Sequence, residues 1–116
     1  KIIMSDIKVS IITVCKNSES TIRQTLNSIY NVINNNKNTE YIIQDSLSND
    51  STLDIINEFS GKISNLQFYS EKDKGLYDGM NKALLRCNGK YVLFLNLNNL
   101  NSFIIVNASL FKDTTQ

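Results

Sequence analysis

Three times along this chain a short apolar run is followed by a segment of helical period, and a fourth run closes the series. Residues 8–15 contain Val9-Ser10-Ile11-Ile12-Thr13-Val14, a continuous β-branched run of the kind that suits a strand covered on both faces. Ile22, Leu26, Ile29 and Ile33 then recur at helical spacing, with Ser18 or Ser20 as the expected N-cap and an Asn-rich loop after them. Tyr41-Ile42-Ile43 reads as a second strand that ends at Asp45. Asp50 or Ser51 is expected to cap a second helix, with Leu53, Ile56 and Phe59 inward and Gly61 at its end. Residues 66–69 form a third strand, a third helix starts near Gly75 with Leu76, Met80, Ala83 and Leu84 as its stripe, and 91–95 is a fourth strand. Alternation of this kind implies right-handed crossovers and a parallel sheet with helices on both faces, an α/β architecture. The apolar run Phe103-Ile104-Ile105-Val106 has no assigned place in that series.

Ligands of such sheets bind beyond the carboxyl ends of the strands, where the strand order reverses. The segments that follow the four strands are 15–18, 45–50, 70–75 and 96–99, and they hold most of the polar residues of interest. Composition narrows what they can do. With 116 residues, 41% of them hydrophobic, the chain suits one small domain with its own core. A net charge of +1 without a basic run argues against a general nucleic-acid binder. No apolar stretch approaches the roughly 20 residues of a membrane-spanning helix. There is no histidine, so base chemistry falls to Asp or Glu and any metal site is oxygen-rich. Cys15 and Cys87 fall at opposite ends of the sheet and are expected to be small, buried and unpaired, as in a reducing, cytoplasmic protein.

Each polar segment has a functional and a purely structural reading. In 13–17, backbone groups of Thr13 and Val14 can meet a base edge and Asn17 can bond a ribose, or the segment is an ordinary strand-to-helix turn. In 45–52, Asp45 is placed to accept from a nucleoside N–H or hydroxyl, while Asp50 has the competing role of helix cap. In 70–82, Asp73 lies in the loop before the helix. Tyr77 and Asn81 share one helix face there, and Asp78 and Lys82 share another, each pair four residues apart. The plain alternative is a helical ion pair between Asp78 and Lys82, with Asp73 or Ser70 as a cap. In 96–99, Asn96-Leu97-Asn98-Asn99 offers side-chain carbonyls without negative charge, a weak set for a divalent cation, or a solvated turn.

The segment Ser70-Glu71-Lys72-Asp73-Lys74-Gly75-Leu76-Tyr77-Asp78-Gly79-Met80-Asn81-Lys82 resembles a motif of family 2 glycosyltransferases that reads roughly S-E-x-D-x-G-x-Y-D-A-M-N-K. The first strand is similar to that family's V-S-I-I-T-x-x-x-N opening. Glu40 to Thr52 is similar to its E-x-I-x-x-D-G-x-S-x-D-x-T segment, and Gly89 to Asn96 to G-D-x-x-x-F-L-N. The likeness spans about residues 8–99 and is nearest to a branch that builds bacterial surface polysaccharides, colanic-acid-like. It implies the nucleotide-binding half of a GT-A fold, a three-layer Rossmann-like α/β/α arrangement with a mainly parallel sheet. It implies that Thr13 and Asp45 line the base pocket, and that Val14, Asn17, Asp73, Gly75, Tyr77, Asp78, Asn81, Lys82 and Asn96 belong to a nucleotide-sugar site. It also implies Mn²⁺ or Mg²⁺ held against the diphosphate by an acid, but this chain has Asn99 there, preceded by Asn98. Ser46 likewise replaces the family's glycine after Asp45.

The expected function is therefore the donor-binding domain of a glycosyltransferase. It would take a UDP- or GDP-linked sugar to a glycan or lipid-linked acceptor in polysaccharide biosynthesis. Residues 1–116 are expected to form one domain of a longer, cytoplasmic enzyme, possible also at the inner membrane face. The family's catalytic base lies beyond the metal motif, where Asp113 is the only acid here. The alternative is a non-catalytic nucleotide-sugar binding or assembly module whose metal site has decayed to asparagines, and a third reading is an unrelated α/β binding domain.

Overall fold

The computed structural model describes residues 7–95, 97 and 103–107. Their order is β1 (Val9–Cys15), α1 (Ile22–Ile33), β2 (Thr39–Asp45), α2 (Thr52–Ser60), β3 (Leu66–Ser70), α3 (Leu76–Arg86), β4 (Tyr91–Leu95) and β5 (Phe103–Asn107). The sheet runs β3-β2-β1-β4-β5. The first four strands are mutually parallel, and β5 adds antiparallel to β4, with Leu95 opposite Phe103 and Tyr91 opposite Asn107. The apolar run 103–106 thus finds its place as an added strand.

Period-two alternation divides the strand side chains between two layers. Ile11, Tyr41 and Ile43 pack with Ile22, Leu26, Ile29, Ile56 and Phe59 of α1 and α2. Ile12, Ile42 and Val92 pack with Ala83 and Cys87 on the opposite side, under α3. With both faces covered, β1 and β2 show no alternation between core and solvent, and their polar side chains, Ser10, Thr13, Glu40, Gln44 and Asp45, are buried as well. Ile12 and Ile42 are completely buried, and each such side chain contributes about 1.5–3 kcal/mol. The chain steps from β1 to β3 with α1 and α2 on one face. It then returns past β1 to β4 with α3 on the other. The strand order therefore reverses between β1 and β4.

Two local expectations are corrected, at the α1 cap and at Leu76, while the α2 cap falls where it was expected. Neither Ser18 nor Ser20 caps α1: Thr21 is at the N-cap without a side-chain capping bond, and the Ser18 carbonyl accepts from the Thr21 and Ile22 N–H groups at 3.0 and 2.9 Å. Ser51 holds the N-cap of α2 but makes no capping bond, whereas Asp50 Oδ1 accepts from the Thr52 N–H at 2.9 Å. Leu76 shares the inward stripe of α3 by period yet is 59% exposed, and the buried stripe is Gly79 and Ala83. These small side chains let α3 approach β1: a Cβ on Gly79 would come within 2.8 Å of Val14 Cγ1. Gly61 does follow α2, but at φ −82° it ends the helix without a left-handed turn. Cys15 and Cys87 are both buried and free, in different layers of the core.

Candidate functional site

The loops after β1 and β2 are stitched into one crest. Asn17 takes a left-handed conformation, φ 48°, that asparagine tolerates. Its N–H donates to Ser48 Oγ at 2.7 Å, and its Oδ1 accepts from the Asn49 N–H at 2.9 Å. Ser18 N donates to Thr52 Oγ1 at 2.7 Å and Glu19 N to Asp50 Oδ2 at 3.2 Å. Loss of water around Asp50 acts to raise its carboxyl, but the bonds from Thr52 and Glu19 outweigh this and hold it below the usual range.

Asp45 ties that crest to β3. It is completely buried at the end of β2. Oδ1 accepts from Ser48 Oγ at 2.5 Å and from the Cys15 thiol at 3.3 Å. Oδ2 accepts from the Ser48 N–H at 2.8 Å and from Ser70 Oγ at 2.7 Å. The Cys15 thiol is pushed far up by burial, then by the charge and hydrogen bond of Asp45 and the charge of Asp50, so it stays a thiol at neutral pH. One strand inward, Thr13 Oγ1 accepts from the Tyr41 hydroxyl at 2.6 Å and points at the Leu95 carbonyl at 3.4 Å. That contact crosses the β1/β4 reversal.

The β3–α3 loop is fixed from both ends. Gly75 adopts φ 126°, ψ −174°, a region that only glycine enters without strain. Asp73 Oδ1 accepts from the Gly75 N–H at 3.0 Å, and Asp78 Oδ2 accepts from the Lys74 N–H at 2.8 Å. The bond from Lys74 N–H, then the hydrogen bond and charge of Lys82, hold the Asp78 carboxyl below its ordinary range against the effect of lost water. Lys82 Nζ donates to the Lys72 carbonyl at 2.5 Å and lies 3.4 Å from Asp78. Below the loop, Gln44 Nε2 donates to Glu71 Oε2 at 3.0 Å. Arg86 Nη1 reaches Gln44 Oε1 at 2.8 Å and Glu71 Oε2 at 2.5 Å, with its guanidinium 3.9 Å from the centre of the Tyr69 ring.

The sequence-predicted residues therefore separate into groups. Val14, Asp73, Gly75, Asp78 and Lys82 gather where α3 begins, with Gly79 close to both Val14 and Asp73. Thr13 and Asp45 lie buried beneath, engaged by protein groups. Asn17 stands with the α1 and α2 loops. Tyr77, 78% exposed, and Asn81 face solvent. Two positions separate Tyr77 from Gly79, about 200° around a helix, so the two face apart. Asn96, Asn98 and Asn99 lie outside the described residues. Sequence reasoning missed Gln44 and Arg86, and gave Ser48, Ser70 and Glu71 no site role although they lie in the segments it singled out. Ser48, three residues after Asp45, carried a local signal, the Asx-type turn. Arg86, 42 residues from Gln44, carried none.

Among the described residues, no three His, Cys, Asp or Glu side chains converge as a metal-binding group. The carboxylates of Asp45, Asp50, Glu71 and Asp78 are each occupied by protein donors. These residues do not fit a divalent cation by themselves.

Loops gathered at a strand-order reversal define an α/β domain of the kind that holds nucleotides at its crest. The chain belongs to glycosyl transferase family 2, whose model matches residues 10–97. It is 31% identical over 96 residues to the glycosyltransferase YdaM of Bacillus subtilis (strain 168), covering 79% of this chain and 23% of that protein. It is 34% identical over 89 residues to TuaG of the same organism, named as a teichuronic acid biosynthesis glycosyltransferase, covering 76% of this chain and 34% of that one. In structure it is similar to S. aureus TarS 1-349, solved in complex with UDP-GlcNAc: TM-score 0.69, 27% identity, 94% of this chain and 30% of that one. The mannosyltransferase PcManGT of Pyrobaculum calidifontis, solved with GDP-Man and Mn²⁺, shares the fold at TM-score 0.72 and 24% identity, over 80% of this chain and 28% of that one. The chain thus spans 23% and 34% of the curated relatives. No helix among the described residues is long and apolar enough to cross a membrane.

Proposed function

We propose that this chain supplies the donor side of a glycosyltransferase, binding a nucleoside diphosphate sugar in the crevice between β1 and β4. One observation carries the reading: the loops after β1, β2 and β3 are hydrogen-bonded into a single crest beside the strand-order reversal. In this reading Thr13 and Asp45 shape the floor of the base pocket, and Val14 and Asn17 border it. Asp73, Gly75, Asp78 and Lys82 set the loop that faces the diphosphate and sugar, with Tyr77, Asn81 and Asn96 at its margin. The donor is UDP- or GDP-linked, and the product is a surface polysaccharide of the kind that the name of TuaG indicates. A glycan or lipid-linked acceptor and the catalytic base belong to regions of the relatives that the match does not span. The work is done in the cytoplasm, at the inner face of the membrane where the acceptor is lipid-linked.

A second reading has its own support. Asn98 and Asn99 stand where the family has its metal acid, and neutral oxygens bind Mn²⁺ or Mg²⁺ weakly. That favours a nucleotide-sugar binding or assembly module without turnover. Calorimetric titration with UDP and then GDP, with and without Mn²⁺, tests both. Binding strengthened by Mn²⁺ supports the donor site, and metal-independent binding supports the module. No binding of either nucleotide, and no rise in melting temperature, refutes both readings. A ligand at 100 times its Kd adds about 2.7 kcal/mol. An Asn99→Asp variant is expected to tighten Mn²⁺-dependent binding, and no gain would sink the decayed-site account.

A further inference from the structure

The turn between α3 and β4 carries the one Asn–Gly step in the chain, Asn88–Gly89. After an asparagine, the next backbone nitrogen can attack the side-chain amide carbon. Glycine favours the attack because no Cβ obstructs it and its backbone reaches more conformations. The fold leaves no choice of residue here. A Cβ on Gly89 would stand 2.7 Å from both the backbone nitrogen and Oγ of Ser10, and 2.8 Å from the Val9 carbonyl carbon. Close packing of this turn on β1 therefore imposes a reactive dipeptide.

The same packing restrains both reacting groups. The Gly89 N–H donates to Ser10 Oγ at 2.8 Å, and Ser10 Oγ donates to Glu40 Oε2 at 2.6 Å. Glu40, completely buried, also accepts from the Asn88 N–H at 2.6 Å and from Asn88 Nδ2 at 3.1 Å. One carboxylate thus holds the leaving amide directly and the nucleophile through Ser10. Its negative charge also opposes the anionic nitrogen needed for attack.

We infer that Asn88 is a latent site of self-catalysed deamidation, held shut in the folded chain by Ser10 and Glu40. In the step, the Gly89 nitrogen loses its proton and bonds to Asn88 Cγ, the Cγ–Nδ2 bond breaks, and Nδ2 leaves as ammonia. Water then opens the cyclic imide at either carbonyl, leaving aspartate or isoaspartate. No other reactant is required. Conversion therefore tracks opening of the α3–β4 turn.

The full chain is incubated in mildly alkaline buffer, folded and in concentrated urea, and the peptide containing residues 88–89 is followed by mass spectrometry. Conversion is expected to be slower in the folded chain by about tenfold, which corresponds to a turn-opening free energy of about 1.4 kcal/mol. Ser10→Ala, which removes the acceptor for the Gly89 N–H, is expected to speed conversion in the folded state, with circular dichroism confirming the fold. Equal rates in folded and unfolded chains would overturn the inference, as would a folded Ser10→Ala protein that converts no faster than the unaltered one. Should Ser10→Ala fail to fold, the comparison on the unaltered chain decides the matter, with Glu40→Gln as the second variant.

Discussion

Asp45→Asn preserves shape and removes charge at the point where three crest segments meet. The carboxylate accepts at both oxygens, from the Ser48 N–H and hydroxyl, from Ser70 and from Cys15. An asparagine must keep its oxygen on the Oδ2 side, because the Ser48 N–H cannot turn round. Its amide NH₂ then faces Ser48 Oγ and the Cys15 thiol, which have to rotate to accept. Hydrogen bonds to charged groups contribute about 1.5–3 kcal/mol each and neutral ones about 0.5–1.5. Losing the charge from two strong bonds therefore costs about 2–3 kcal/mol at a site shielded from solvent. With a urea m-value of about 2 kcal/mol/M, the midpoint falls by about 1 M. Urea titration followed by circular dichroism reads this directly. A thiol reagent gives an independent readout, since removing the Asp45 charge withdraws one of the influences that raise Cys15. A natively folded Asp45→Asn protein with an unchanged midpoint would refute the idea that Asp45 holds the crest together.

Gly75→Ala is expected to lose about 1–3 kcal/mol of stability through backbone strain at φ 126°. No atom stands within 4 Å of the added Cβ, so a loss-free variant in thermal melts would contradict the strain argument. Leu47→Gly is expected to gain about 0.5–1 kcal/mol, because Leu47 sits at φ 48° with its side chain 55% exposed. A lower melting temperature would show that the Leu47 side chain matters more than its backbone. Asp50, Glu71 and Asp78 are held below their ordinary values of 3.8 or 4.5, as is Glu58, which accepts from the Arg23 guanidinium at 2.8 and 3.2 Å. The unfolded chain therefore binds more protons in acid. Their stabilisation is present above those values and is lost as pH falls from about 5 towards 2. Urea midpoints that stay level or rise over that range would exclude this linkage.

The layered fold was legible because its signals are local. Helical spacing of Ile22, Leu26, Ile29 and Ile33 and the run at β1 report burial directly, the run at β4 only at Val92, and each element formed where its pattern lay. The α1 cap misled because Ser18 contributes its carbonyl, not its hydroxyl, whereas at α2 both expected residues take part, Ser51 by position and Asp50 by its bond from the Thr52 N–H. Strand β5 was opaque for another reason. An apolar run of four residues does not state its partner, and antiparallel addition to β4 is a tertiary choice. The motif marked the β3–α3 loop but not what supports it. Arg86 meets Gln44, Glu71 and the Tyr69 ring only after β2, β3 and α3 have assembled.

That assembly changes what the crest can do. Polar residues that read as ligand contacts in a list are, in the folded chain, mostly bonded to each other: Asn17 to Ser48 and Asn49, Asp45 to Ser48 and Ser70, Lys82 to Lys72 and Asp78. A nucleotide that needed their bonds would have to break protein bonds first, losing much of what it gained. Recognition without that exchange falls to backbone groups and to side chains facing water, as Tyr77 and Asn81 do. The bonded residues then act by preorganisation, keeping the crest rigid so that binding does not have to order it. Loosening the crest by Asp45→Asn should therefore weaken nucleotide binding even though no direct contact is removed. The weakening should be entropic, because a crest that is mobile when free is ordered on binding. A loss of affinity that is entirely enthalpic would instead mark Asp45 as a direct contact of the base.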